Sequence, residues 1–401
     1  MPSKTTSILL RLSSKENVLL DTKAKFLGIT KSELLRRGIA SVDISSPNIV
    51  QDLLSRYASS DDKTKSLIVD LLAEFYTESG YPHNRLTDQQ KIREMEKISK
   101  TKSPLLDDNF LQINTVGLSL CNFFHPHMVK VQCGNTRTPY EQFSNKDLLK
   151  DAIKRWMDLG KRPVPSGLRR ILRIRDGVKS VVNFKPAIAK YFYDTYCPKN
   201  GKVLDPCSGY SGRLAGCIAA NKGISYHGID PDGRTAVGNM QMAATFIDQF
   251  DIMGRVWKFD FRFDMACAED VMPGINDKYD LVFSSPPFFR VEKYSNAPNQ
   301  SWIRYPSYGN WRDGFLFVLI KESWRLLRDN CCLILNLKNY KKEPIADDAI
   351  RIARDMGFEL IKTYQQKMPN SEYNLKSKDD PKFKESITWH SEPIFVFKKR
   401  S

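Results

Sequence analysis

At 401 residues the chain is long enough for two or three domains, and 62 Lys and Arg against 46 Asp and Glu leave a net charge of +16. That sign favours a polyanionic partner, nucleic acid before a membrane surface. Eight cysteines form no CxxC pair and several lie in apolar runs, and there is neither a signal peptide nor an apolar run of membrane-spanning length, so a reducing, cytoplasmic setting is expected rather than a disulfide scaffold or a membrane span.

Residues 1–45 read as a small separate module. TTSILLRL (Thr5 to Leu12) alternates as a short strand, with Ile8, Leu10 and Leu12 on one side and Ser7, Leu9 and Arg11 on the other. Ser14 to Leu27 reads as a helix closed by Gly28, and Thr30 with Glu33 forms a capping box for a second helix. This order is similar to the ribbon-helix-helix family of DNA-binding dimers. The resemblance implies that Ser7, Leu9 and Arg11 face DNA and that the strand pairs with that of a second copy, making a homodimer; a plain helical hairpin is the alternative. Residues 46–103 form a mainly helical linker region, with Ile49 to Tyr57, Ser66 to Tyr76 and the charged Thr87 to Lys102 as its segments.

Residues 104–179 are aromatic first and basic later. FHPH places His125 and His127 two apart, but no Cys or acid sits beside them at ligand spacing, so a structural or substrate-contact role is expected and no metal site is assigned. KRPVPSGLRRILRIRDGVK, residues 161–179, carries seven Lys and Arg against one Asp. Arg169, Arg170, Arg173 and Arg175 on its Ile/Leu frame suit contact with backbone phosphate, a solvated basic face being the alternative.

The chemistry concentrates after residue 180. KVLDPCSGYSGRLAG, residues 202–216, is a short strand, a turn permitted by Gly209 and Gly212, and a helix start; this arrangement lets a cofactor approach the backbone. SYHGIDPD follows as a second strand ending at Asp230, about twenty residues past the turn, where a carboxylate meets ribose hydroxyls in nucleotide-binding α/β folds. A third segment, Phe263 to Asp270, ends in Glu269 and Asp270. DLVFSSPPFF, residues 280–289, then reads as a buried strand stopped by two prolines, which cannot donate to a ladder and fix φ. Its tip presents the Ser285 hydroxyl, the carbonyl before Pro287 and the Phe288 ring. These features suit a flat heteroaromatic amine, although a strand ending in a proline turn would read alike.

Taken in order, these four motifs resemble the S-adenosylmethionine-dependent amino-methyltransferases of DNA, whose hallmark is Asp/Asn/Ser-Pro-Pro-Tyr/Phe. The resemblance covers roughly residues 180–400. It implies an α/β fold class: a Rossmann-like methyltransferase domain over residues 180–401, preceded by a mainly helical N-terminal region with a ribbon-helix-helix-like start. It implies S-adenosylmethionine as cofactor and double-stranded DNA as partner. Asp205, Pro206, Ser208, Gly209 and Gly212 would belong to the cofactor loop, Asp230 to the ribose contact, and Asp270 or Glu269 to the adenine contact. Asn183, Phe184 and Pro186, from NFKPAIAKYFYDTY, would pack around the methionine moiety. Ser285, Pro286, Pro287 and Phe288 would be the catalytic motif. WRDGFLFVLIKESWRLLRDNCCLILNLKN, from Trp311, resembles the helix and strand that follow it, with RDNCC in place of the usual Gly-Gly turn.

Serine at the first motif position resembles the cytosine-N4 subgroup, and adenine N6 is the alternative. No Pro-Cys nucleophile stands in the motif, which argues against carbon-5 chemistry. An RNA base methyltransferase and a DNA-binding regulator with an inactive fold remain the other classes. The interval from Asp230 to Asp280 is too short for an inserted recognition domain, so target recognition is expected in residues 1–45 and 104–179. The aromatics Tyr294, Trp302, Tyr305, Tyr308 and Trp311 would clamp a base, cover the cofactor or simply pack down, with Gln300 and Ser301 within reach of a base edge. Two closing strands are expected between Gly357 and Lys399, around a charged excursion.

Overall fold

A computed structural model describes Thr30 and residues 55–112, 114–248, 257–369 and 389–401. The ribbon-helix-helix expectation, with Ser7, Leu9 and Arg11, and the charged excursion expected over residues 370–384 lie outside the described residues. The chain divides into two compact units, residues 1–80 with 146–168, and residues 81–145 with 169–401.

In the first unit the helix Asp62–Ser79 is capped by the Asp61 carboxylate, which accepts from the Thr64 N–H, and buries Ile68, Leu72 and Tyr76. The amphipathic helix Lys146–Asp158 buries Leu149, Ile153 and Trp156. The Tyr76 hydroxyl donates to the Pro163 carbonyl at 2.6 Å, and Lys150 pairs with Asp70 at 2.7 Å.

The second unit is built on a sheet. Its strands, in chain order, are β1 (Phe110–Leu111), β2 (Gln132–Cys133), β3 (Lys202–Asp205), β4 (Ile224–Ile229), β5 (Phe259–Asp264), β6 (Tyr279–Ser284), β7 (Glu292–Lys293), β8 (Leu327–Asn336), β9 (Phe358–Pro369) and β10 (Trp389–Lys399). Eight of them form one sheet in the order β1-β9-β10-β8-β6-β3-β4-β5, and β2 pairs with β7 in a separate two-stranded ribbon. β5, β4, β3, β6 and β8 run parallel, and β10 lies antiparallel between β8 and β9.

Alternate side chains of the central strands enter different cores, as the period of two requires. Val203, Leu281 and Phe283 pack with Ile188, Phe192, Leu214, Ile218 and Met242 from the helices on one face. Leu204, Val282, Leu333 and Leu335 pack with Leu319, Ile320, Ala349 and Ile352 from those on the other. Parallel strands with helices on both faces, in the 3-2-1-4-5 order read from β5 to β8, make a Rossmann-like α/β fold.

Several expectations shift in detail. The third strand ends at Asp264, so Glu269 and Asp270 lie on the short helix Ala268–Val271. Thr87 to Lys102 contains the capped helix Asp88–Ser99, whose Met95 and Ile98 are core residues rather than part of a linker. β1 and β2 pair with β9 and β7, so sequence upstream of residue 180 belongs to the sheet system. Trp311 is fully buried and packs on Phe289 and Phe315, so this aromatic packs down.

Candidate functional site

The strand order reverses between β3 and β6, whose carboxyl ends therefore open a crevice. A cavity of ≈ 320 Å³ lies there, at the small end of the range for ligand sites.

The β3 end is held from below. Asp205 is fully buried, and its carboxylate accepts from Arg213 Nε at 2.7 Å and Nη2 at 3.1 Å, from the Tyr226 hydroxyl at 2.7 Å and from the Ser284 hydroxyl at 2.9 Å. Arg213 also donates to the Cys207 carbonyl. Burial opposes the guanidinium charge, but the Asp205 carboxylate outweighs that cost and pushes its pKa upward. Asp205 does not line the cavity; placing it in the cofactor loop is corrected to anchoring that loop, because every lobe of its carboxylate is held by protein donors.

Above Asp205 runs the loop from Pro206 to Tyr210. Gly209 has φ +56°, the left-handed region that favours glycine. A Cβ on Gly212 would lie 2.2 Å from the Phe184 carbonyl oxygen, so this glycine lets the helix Gly212–Ala220 start against the Asn183–Phe184 segment. Asn183 Nδ2 reinforces the contact by donating to the Tyr210 carbonyl at 2.6 Å. Behind the loop, Ser211 Oγ donates to Asn239 Oδ1 at 2.9 Å and lies 2.6 Å from His125 Nε2. Because the serine proton points at Asn239, His125 must donate through Nε2, leaving its buried Nδ1 bare. Burial pushes the His125 pKa down to about 3 and that of His127 to about 4, so both rings are neutral braces. Among the described residues no group of three His, Cys, Asp or Glu is placed to hold a metal.

On the β4–β5 side, Asp230 accepts from the N–H groups of Gly209 and Asp232, each at 3.0 Å. Burial nevertheless pushes its carboxyl pKa up to about 7. Glu269 lines the cavity, and burial raises its pKa although Arg304 lies 2.8 Å away. Asp270 does not line it; its carboxylate takes both Arg304 Nη atoms, at 2.8 and 2.9 Å. Of the two acids open for an adenine contact, only Glu269 therefore faces the cavity. Three buried polar atoms on the wall have no partner: Ser208 Oγ, Asn299 Oδ1 and Trp302 Nε1.

On the β6–β8 side, Ser285, Pro286, Pro287 and Phe288 all line the cavity. The Ser285 hydroxyl donates toward Asn336 O and Oδ1, both at 3.3 Å, which leaves its lone pairs free to accept. Phe289 has φ +52°, so the chain turns away sharply after Phe288. Lys338 sits 6.0 Å from the Phe288 ring centroid and pairs with Glu392 at 2.5 Å. Lys185, just before the helix Pro186–Tyr196, is buried at the cavity, and burial, then Arg173, pushes its pKa down to about 8.

Of the remaining expected residues, Pro206, Ser208, Gly209, Asn183 and Phe184 line the cavity, whereas Gly212 and Pro186 start helices behind it. Tyr294, Gln300, Ser301 and Trp302 also reach it. Arg213, Lys185, Glu292, Asn336, Lys338, Gln366 and Glu392 line it without having been singled out. Two of the basic residues make internal hydrogen bonds. Arg169 Nη1 donates to the Pro82 and His83 carbonyls, and Arg173 to Ser180 Oγ and the Val181 carbonyl, so these donors are turned to the protein's own acceptors. Arg170 is exposed and Arg175 half-buried.

No family model and no curated relative matches the sequence. Among solved structures, TrmN from Thermus thermophilus is 14% identical, with a TM-score of 0.33 over 53% of this chain and 48% of its own. A methyltransferase from Pyrococcus furiosus is 15% identical, with a TM-score of 0.32 over 53% of this chain and 83% of its own. A SAM-dependent O-methyltransferase from Thermotoga maritima is 12% identical, with a TM-score of 0.32 over 54% and 64%. The match thus spans about half the length of TrmN.

Proposed function

We propose that the chain is an S-adenosylmethionine-dependent methyltransferase acting on the exocyclic amine of a nucleic-acid base, with cytosine N4 in double-stranded DNA as the preferred target. The observation that carries this reading is the placement of the Ser285–Phe288 tip across one cavity from the Gly209 loop and Asp230.

The wall fits the cofactor. On this reading Asp230 accepts from ribose hydroxyls and Glu269 from an adenine amine, a reading supported by both lining the cavity, while Ser208 Oγ, Asn299 Oδ1 and Trp302 Nε1 have unused capacity for a polar ligand. When bound, S-adenosylmethionine supplies an electrophilic methyl group. The residues of the tip do the rest by positioning. Phe288 offers a face for a base to stack on. Ser285 Oγ and the Pro286 carbonyl accept from its amine and direct the nitrogen lone pair. A target inside a duplex must be flipped out, because its amine is otherwise paired. The net charge of +16 favours the polyanionic partner.

The test incubates the protein with methyl-labelled cofactor, genomic DNA and, in parallel, total RNA, and identifies the labelled nucleoside by mass. Label is expected as N4-methylcytosine. N6-methyladenine would keep the mechanism and overturn the inference from serine; label in RNA alone would move the substrate to RNA. Cofactor binding without any label would favour a DNA-binding regulator. Ser285→Ala and Phe288→Ala should each lower turnover at least about tenfold, with cofactor affinity retained, since neither change touches the Asp230 side.

A further inference from the structure

Glu292 is an acid that the motif comparison does not supply. It sits four residues beyond Phe288 on β7, and the β2–β7 ribbon pins it through the Cys133↔Glu292 pairing and the Gly134 N–H to Val291 carbonyl bond at 3.0 Å. Glu292 lines the same cavity as Ser285 and Phe288.

We propose that Glu292 is a catalytic residue, the carboxylate that accepts a hydrogen bond from the target amine and then takes its proton. This rests on the amine-methylating reading above. Where Ser285 stands, the related motif places an acid or amide, and Glu292 returns a carboxylate to the same cavity from a different strand. The step balances simply. The amine nitrogen forms the new N–C bond as the methyl S–C bond breaks, with its electron pair left on sulfur. The nitrogen, now cationic, loses one proton to the Glu292 carboxylate, which later releases it to water.

The surroundings suit a proton acceptor that works near neutrality. Burial, then Glu392 on β10, pushes the Glu292 pKa up to about 7, against the pull of Lys338 beyond β8 and the Phe288 N–H. Cys133, its partner on β2, and Tyr294, which follows β7 and lines the cavity, are the neighbouring titratable groups; both have raised pKa values and stay neutral there. Glu392 is itself paired with Lys338.

The experiment compares wild type, Glu292→Gln and Glu292→Asp at saturating cofactor between pH 5.5 and 9. Wild-type kcat should rise with pH to a plateau above about 7, since only the ionised carboxylate accepts the proton. Glu292→Gln should lose about 10²-fold in kcat and the pH limb, with cofactor affinity unchanged, and Glu292→Asp should recover part of both. Carbon-13 NMR of carboxyl-labelled glutamate, without cofactor, should show one resonance titrating near pH 7 that is absent from Glu292→Gln. A wild-type kcat without the limb, a glutamine variant that keeps rate and limb, or no such resonance would overturn the proposal while leaving the methyltransferase reading intact. Methyl transfer to neither DNA nor RNA by the wild type would refute that reading and this one together.

Discussion

Arg213→Met tests whether the site is built on a buried ion pair. The wild-type Asp205 carboxylate receives four hydrogen bonds, two of them from Arg213, and is fully buried; Arg213 is only 4% exposed. Methionine keeps much of the volume but leaves the carboxylate with Tyr226 and Ser284 alone and the Cys207 carbonyl without this donor. Removing one partner of a buried pair costs about 3–5 kcal/mol, because the remaining charge is uncompensated. With an m of about 2–3 kcal/mol/M, the urea midpoint of the unit should fall by about 1–2.5 M, followed by tryptophan fluorescence at pH 8. The double variant Asp205→Leu/Arg213→Met should recover most of that loss, since no charge is left buried, and a double-mutant cycle measures the coupling. Cofactor affinity should fall in the single variant, because the Pro206–Tyr210 loop loses its anchor. A single-variant cost below about 1 kcal/mol, or a double variant as unstable as the summed singles, would refute the reasoning.

Gly212→Ala would set a Cβ 2.2 Å from the Phe184 carbonyl oxygen and 2.6 Å from Asn183 Oδ1. Overpacking of this kind costs about 1–3 kcal/mol, and calorimetry should show both a lower Tm and cofactor binding weakened about tenfold or more. Asp230, with its carboxyl pKa near 7, would have to be ionised to accept from two ribose hydroxyls in the proposed cofactor site. Cofactor Kd should therefore drop as pH rises from 6 to 8 and then level, and Asp230→Asn should flatten that dependence. The sign for folding is the opposite. A raised carboxyl pKa stabilises the folded state below the unfolded value near 4, and that contribution is lost as pH rises through 7. Urea titrations should thus show Asp230→Asn gaining stability relative to wild type between pH 5 and 8.

The local grammar of this chain was legible before any tertiary contact was known. A double proline ends a strand whatever surrounds it, so the β6 tip at Ser285 to Phe288 follows from two residues. Gly209 before a helical segment, and Asp230 at the end of the next strand, report a β-turn-α-β unit through composition and spacing alone. The placement of Ser285 and Asp230 on one cavity follows from the same rule, because parallel strands bring their carboxyl ends to one edge. Only the tertiary structure decided which polar groups face inward. Asp205 and Asp230 each end a strand, yet Arg213, Tyr226 and Ser284 close around the first while the second stays open to the cavity. Glu269 and Asp270 are neighbours, and helical rotation separates them by about 100° so that one faces the cavity and the other Arg304. Arg169 and Arg173 look like phosphate binders by charge, and the structure also turns donors of both toward the carbonyls at residues 82, 83 and 181. Glu292 carries no local signal at all, because its position depends on a ribbon pairing with Cys133, some 160 residues earlier in the chain. Spacing encodes backbone course, which neighbouring residues determine; the partner of a side chain is set by distant segments, whose arrival no short stretch records.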